Sequence, residues 1–359
     1  MIYVSETHYQ RCALALTDRG GWMKLLEKLL NAYGPSGNEE MVRKLIAKEI
    51  RPHVDELWVD KMGNLIAVET GIGPKIMVAA HMDEVGLMVK NIESDGKIRF
   101  STVGFMDPFV LIGQKVHVQT KHRFHGVISL KELHESEDIK KVPEIEKLYV
   151  DTGLSKKELK RKGVQVGTYL IPEQKFFYLG NKDFIAGKAM DDRIGCYILI
   201  ELAKKMRKSK QLIYYVFTVQ EEMGLYGAKT SAFGIEPDWG IAVDTTIAND
   251  FSEGGNVRLG NGPAITIKDD EMIANKHINE RLTNLAKKKK IPFQLEVIDI
   301  GTSDAMNISI SRTGVPSTTI GIPIRNIHST VSVANIKDIK HSITLLYDLL
   351  KKPINLRPI

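Results

Sequence analysis

The chain has 359 residues, 43% of them hydrophobic and 26% charged, which is the make-up of a globular protein with room for about two domains and a substantial core. Its formal net charge of +6 comes from 50 Lys and Arg mixed with 44 Asp and Glu. The basic clusters Lys156 to Lys162 and Lys287 to Lys290 read as solvated helix faces with no recognition motif beside them, so nucleic acid is excluded as the expected partner. Two cysteines, Cys12 and Cys196, provide no disulfide framework and fit a reducing, cytoplasmic setting. No apolar run approaches about 18 residues, so a membrane partner is excluded as well.

Residues 1–22 lack helical or strand periodicity and read as a poorly ordered N-terminal extension. Met23 begins an amphipathic helix. Gly34-Pro35-Ser36-Gly37 then breaks the chain, and Asn38 is placed to cap a second helix that starts with Glu39 and Glu40. Asn64 sits in a turn and receives no chemical role. The run Ile76-Met77-Val78-Ala79-Ala80 is short and wholly apolar, as expected for a strand buried on both faces of a parallel sheet. His81-Met82-Asp83-Glu84 follow it, placing an imidazole and acids at the carboxyl end, where open α/β sheets build their sites.

From Val85 to Asp183 the texture changes. Glycines punctuate short β-like runs such as Lys115 to Gln119 and Gly126 to Leu130, the pattern of a small β-barrel inserted in an α/β body made of residues 23–84 and 184–359. His134 to Glu146, charged and carrying Pro143, reads as a mobile loop. Past the insert, Lys188 to Gly195 leads into Ile194, Ile198, Leu202 and Met206, four residues apart on one helix face, so Asp191 and Asp192 fall at a helix start. For Asp192 a plain N-cap role is as good a reading as a chemical one.

Leu212 to Val219 is another buried-strand pattern, ending in Gln220-Glu221-Glu222. Gly240 to Val243 ends in Asp244, and Ile320 to Pro323 is followed by His328. The glycines from Gly254 to Gly262 lack a phosphate-binding spacing and read as a turn. The remaining histidines, among them His8, His53, His122 and His277, read as surface residues.

Four such strands thus deliver acids and imidazoles from equivalent positions. Two divalent ions about 3.5 to 4 Å apart require a bridging carboxylate plus an imidazole and an acid each. Two histidines and three acids supply that set, leaving one glutamate of Glu221-Glu222 free to act as general base on the attacking water. The donors are nitrogen and oxygen only, which suits zinc, cobalt or manganese better than copper(I) or an iron-sulfur cluster.

The segments HMDEVGLMV (from His81), AGKAMDDRIG (from Ala186), VFTVQEEMGLYGA (from Val216), VDTT (from Val243), GTSDA (from Gly301) and IHS (from Ile327), in this order, resemble the M42 family of co-catalytic metallo-aminopeptidases, the tetrahedral and deblocking aminopeptidases. The resemblance runs from about Met23 to the C-terminus. It implies a zinc-exopeptidase type of α/β fold with a mixed sheet, two divalent metals per subunit, and hydrolysis of N-terminal residues from peptides. His81 and Asp244 would hold one metal, Glu222 and His328 the other, and Asp191 would bridge them across a cis peptide to Asp192. Glu221 would be the general base, and Asp83 would orient His81. Thr302 and Asp304 would line the substrate pocket. The inserted barrel would carry a dimer contact, with dimers building a dodecamer. The chain departs from the family pattern at Asn326, where a Tyr is usual, and at Ser332, where a Glu is usual; neither position is a metal ligand.

Two other readings remain at this stage. A metal-independent glycoside hydrolase could use two carboxylates as acid and base, but it leaves His81 and His328 without work. A non-catalytic assembly protein of the same fold would be signalled by a missing ligand, and none is missing.

Overall fold

The computed structural model describes residues 21–130, 143–207, 211–251 and 255–352. The expected N-terminal extension up to residue 20 lies outside the described residues, as does most of the loop expected at His134 to Glu146. The first helix, α1, spans Gly21–Asn31 and so begins ahead of Met23. Its apolar face buries Leu26, Leu29 and Leu30 completely.

Helix α2 spans Glu40–Ile50, starting after Glu39, and no side chain caps it. This corrects the assignment of Asn38 as cap. Asn38 Nδ2 instead donates to Gln119 Oε1 at 2.7 Å. Glu39 turns its Oε1 toward the amides of Gly37 (2.6 Å) and Gln220 (3.2 Å), a long-range contact that wins over local capping.

Strands β1 (Glu56–Val59), β2 (Leu65–Glu69) and β3 (Lys75–His81) open the main sheet. In β3 every residue from Ile76 to His81 is buried, as its uninterrupted apolar run requires. Six strands follow between residues 86 and 172: β4 (Gly86–Ile92), β5 (Ile98–Val103), β6 (Lys115–Val118), β7 (Phe124–Ser129), β8 (Tyr149–Asp151) and β9 (Tyr169–Pro172). They close into a barrel in the order β4-β5-β8-β7-β6-β9. Its interior is a separate core built on Leu87, Phe100, Val116, Ile128 and Leu170. Closure removes the free strand edges that so small a sheet would otherwise expose.

The chain then rejoins the main sheet through β10 (Phe177–Tyr178) and β11 (Phe184–Gly187). The remaining strands are β12 (Leu212–Thr218), β13 (Trp239–Ile247), β14 (Ala264–Lys268), β15 (Gln294–Val297), β16 (Ser317–Arg325) and β17 (Ser332–Asn335). The sheet runs β1-β2-β12-β3-β13-β16-β17-β11-β10, with β14 on β16 and β15 on β14. At its centre β12, β3, β13 and β16 are mutually parallel. Antiparallel partners flank them, so the sheet is mixed.

The helix at Met190–Met206 buries Ile194, Ile198, Leu202 and Met206 against one face, together with the helix at Ile336–Leu350. The opposite face is covered by helices Tyr226–Ile235 and Asp304–Ser309. Among the described residues no helix is long and apolar enough to cross a membrane.

Of the histidines read as surface residues, His8 lies outside the described residues, and one that is described corrects the assignment. His117, on β6, is only 4% exposed, because its ring stacks on Tyr33 with centroids 4.9 Å apart. The Gly-rich turn behaves as expected: the amides of Gly260 and Gly262 both donate to the Asp338 carboxylate at 2.7 Å.

Candidate metal centre

Strand register gathers the site. Thr218 of β12 pairs with His81 of β3, so the chain leaving β12 carries Glu221 and Glu222 past the end of β3. Ala242 of β13 pairs with Ala79, which brings Asp244, two residues on, level with His81. Asp191 arrives from the start of helix Met190–Met206, where Asp191 and Asp192 both have non-helical dihedrals and are joined by a cis peptide.

Asp192 is buried and faces inward. Its Oδ1 accepts from the Gly195 amide at 2.8 Å, a helix N-cap, while its Oδ2 accepts from the His81 amide at 3.2 Å. Both readings of this residue therefore hold at once: it caps the helix and it fixes His81. Gly195 is required there, because a Cβ would stand 2.3 Å from Asp192 Oδ2 and 2.6 Å from the Val243 carbonyl oxygen.

Two groups of candidate ligands share one residue. His81, Asp191 and Asp244 form the first, and Asp191, Glu222 and His328 the second, with the ligand atoms in each within 4.8 Å of one another. His81 Nε2 lies 3.1 Å from Asp191 Oδ1 and 3.7 Å from Asp244 Oδ1. His328 Nε2 lies 3.3 Å from Asp191 Oδ2 and 3.3 Å from Glu222 Oε2. Asp191 thus presents a different oxygen to each imidazole. Glu221 Oε2 is 3.9 Å from His81 Nε2, near the first group and outside both sets.

Asp83 sits beneath, fully buried. Its Oδ1 is 3.4 Å from His81 Nδ1 and accepts from the Glu221 amide at 3.1 Å. Its Oδ2 accepts from the Glu222 amide at 3.2 Å and from Ser36 Oγ at 2.6 Å. One carboxylate therefore faces the ring of His81 and holds the backbone of both glutamates.

Electrostatics sharpen the picture. Burial pushes the carboxyls of Glu221 and Asp244 well above the ordinary range and that of Glu222 up to about 8, each aided by carboxylate neighbours. Burial opposes a charged ring at His328, yet Asp191 and Glu222 raise its pKa to about 9. His81 is likewise raised well above 6.5 against its burial, by Glu221, Asp191 and Asp83. So many buried acids around two imidazoles must either hold protons or gain added positive charge. Glu222 Oε1 is buried without a hydrogen-bond partner, an acceptor still to be satisfied. The nitrogen and oxygen donor set, the shared carboxylate and this orphaned oxygen all fit two divalent cations.

Thr302 lines a cavity beside the cluster, whereas Asp304 lies beneath it, its Oδ2 accepting from Thr218 Oγ1 at 2.5 Å. The two departures from the family pattern touch each other: the Asn326 carbonyl accepts from Ser332 Oγ at 3.0 Å and from Ser329 Oγ at 2.7 Å. They close the loop that carries His328.

Ser36 and Phe105 were not recognisable from sequence. Ser36 lay inside what read as a Gly-Pro turn, and Phe105 stood within the glycine-punctuated insert. Phe105 projects from the barrel to 6.2 Å from the His328 ring.

A sequence profile of the M42 glutamyl aminopeptidase family matches residues 63–345. The lysyl aminopeptidase of Pyrococcus furiosus is 36% identical, over 93% of this chain and 99% of its own length. An aminopeptidase structure from the archaeon Desulfurococcus kamchatkensis superposes with a TM-score of 0.89 at 40% identity, covering 93% of this chain and 95% of that one. The TET1 peptidase of Pyrococcus horikoshii, described as assembling into a tetrahedron or a large octahedral shell, gives a TM-score of 0.83 at 30% identity over 92% and 99% of the two chains. On the profile match and these identities across nearly the whole length, the chain belongs to the M42 aminopeptidase family.

Proposed function

We propose that this aminopeptidase works with two divalent ions, zinc or cobalt and alternatively manganese, and that Glu221 moves the proton. The observation that carries the reading is the split of Asp191: one oxygen faces His81 and Asp244, the other His328 and Glu222. In this reading His81 and Asp244 hold one ion, Glu222 and His328 the other, and Asp191 both. The ions, when bound, supply Lewis acidity toward the scissile carbonyl and lower the pKa of water to about 7.

Glu221 takes the proton of the attacking water and passes it to the leaving amine. It is free to do so because it lies outside both ligand groups. Its position is set from behind by the Asp83 carboxylate on its amide. Asp83 also faces Nδ1 of His81, which leaves Nε2 for the ion. Thr302 on the cavity wall belongs to the substrate pocket, and Asp304 braces it through Thr218.

Peptides with a free N-terminus are the proposed substrates, in the cytoplasm. Self-association is proposed from the tetrahedron or octahedral shell described for the Pyrococcus horikoshii relative, and contact through the barrel, with dimers building a dodecamer, from the family resemblance. The test is hydrolysis of aminoacyl chromogenic substrates by metal-stripped protein with zinc, cobalt and manganese added separately. Activity that returns with metal and disappears with EDTA supports the reading. Activity that persists after complete chelation overturns it.

A further inference from the structure

A cavity of about 540 Å³ opens beside the ligand cluster. Ile247, Ile298, Ile300 and Ile327 give it aliphatic wall, and Asp269 and Glu296 also line it. Both acids are almost wholly buried, at 3% and 2% exposure.

Their partners are instructive. Glu296 accepts from two hydroxyls, Thr246 Oγ1 on Oε1 and Thr266 Oγ1 on Oε2 at 3.2 Å. Asp269 Oδ1 accepts from the amides of Met272 at 2.7 Å and Glu271 at 3.0 Å. Among the described residues no Lys, Arg or His forms an ion pair with either acid. The adjacent Lys268 pairs with Asp299 at 2.9 Å and does not line the cavity. Among the described residues the only cationic side chains that do are His81 and His328, both already within the ligand cluster. Burial pushes the carboxyls of Asp269 and Glu296 above their ordinary range; Asp269 pushes Glu296 further, and the nearby Lys268 offsets only part of the rise at Asp269.

Distance fixes the kind of group that would complete them. Thr246 follows Asp244 by two residues on β13, so its side chain shares a strand face with that ligand, about 6.6 Å along the strand. A residue whose backbone sits at the ligand cluster must send a long side chain past the isoleucines to meet Glu296. A flexible four-carbon stem ending in an ammonium has that shape, with methylenes against aliphatic wall and a charged head on carboxylates.

We propose that this cavity receives the N-terminal side chain of the peptide, and that Glu296 with Asp269 selects lysine or arginine over an acidic residue. The proposal rests on the aminopeptidase reading above. It runs against the glutamyl label of the family profile, since a glutamyl side chain would add a third carboxylate to two that form no ion pair.

The experiment compares kcat/KM on lysyl, arginyl, leucyl and glutamyl p-nitroanilides for the metal-loaded wild type, Glu296→Gln and Asp269→Asn. In the wild type the lysyl and arginyl substrates should exceed the glutamyl one by about a hundredfold or more. Glu296→Gln keeps an acceptor oxygen for the threonines and removes the charge, so the lysyl-to-leucyl ratio should fall by about tenfold or more. A role limited to supporting the fold would lower both substrates together and leave that ratio alone. Glutamyl substrate as the fastest of the four, leucyl turnover without lysyl turnover, or a lysyl-to-leucyl ratio unmoved by both substitutions overturns the specificity while leaving the aminopeptidase standing. No turnover of any of the four with any of the three metals overturns the aminopeptidase reading and this inference with it. If Glu296→Gln does not fold, the wild-type order and Asp269→Asn decide.

Discussion

The His81 side chain is 2% exposed and ends a central strand, whereas the His328 side chain is 31% exposed and stands on a loop with a left-handed backbone, φ 53°. The first corner inherits its rigidity from the sheet. The His81 amide is held by Asp192, its carbonyl accepts from Cys196 Sγ at 3.1 Å, and its ring faces Asp83. The second depends on local polar contacts: two serine hydroxyls on the Asn326 carbonyl, with Phe105 of the barrel beside the ring. Preorganisation of ligands raises affinity by removing the cost of ordering them. The ion at the His81 corner should therefore be the tighter, and graded chelation should empty the His328 corner first.

Removing what the corners share gives the largest effects. Glu221→Gln takes away the proposed proton carrier and none of the proposed ligands, so turnover should fall by about a thousandfold with two ions per chain retained by elemental analysis. Loss of metal along with activity would exchange the base and ligand roles of Glu221 and Glu222. Asp191→Asn leaves a single good donor oxygen where two corners need one each. Metal content should drop below two per chain, and a mutant that still holds two would remove the bridge.

What was legible before the fold was known divides along the same line. The His81 corner could be read because buried parallel strands announce themselves as apolar runs, and the residues that end such runs are fixed by register; His81, Glu221, Glu222 and Asp244 all come this way. His328 lies on a loop, and its apolar run, Ile320 to Pro323, stops short of it, so the strand pattern pointed to it by nearness alone and the ordered motifs had to strengthen the reading. Asp83 could be named for its place near His81, but not for its grip on the two glutamate amides, since that depends on how the loop after β12 folds back. The roles of Ser36, Glu39 and Glu296 were illegible for one reason: their partners lie far away along the chain or in strands whose pairing no local pattern gives.

Histidine replacement tests the corners directly. His81→Ala leaves the buried carboxylates of Asp83 and Asp191 without their imidazole, a loss on the order of 3 to 5 kcal/mol for a broken buried pair. It should lower the melting temperature and strip the ion at its corner. His328→Ala also leaves Asp191 and Glu222 short of an imidazole, but its side chain is partly exposed, so the melting temperature should fall by less than for His81→Ala, with one ion held per chain. Equal destabilisation by the two substitutions, read by thermal unfolding in EDTA, would show that the corners are equally dependent on their surroundings.

The smallest effect is the most discriminating. Ser36 Oγ donates to Asp83 Oδ2 at 2.6 Å, while the amide of Glu222 holds the same oxygen and that of Glu221 the other. Ser36→Ala therefore removes one of several bonds to a buried carboxylate, worth about 1.5 to 3 kcal/mol for a charged acceptor. Asp83 faces His81 and touches the His328 corner only through the Glu222 backbone. Weakening by about tenfold at the tighter ion, with the weaker one unaltered, is the expected result in competition against a chromophoric chelator. An equal loss at both ions would mean that the backbone of Glu222 transmits what happens at Asp83, and that the two corners respond as one unit.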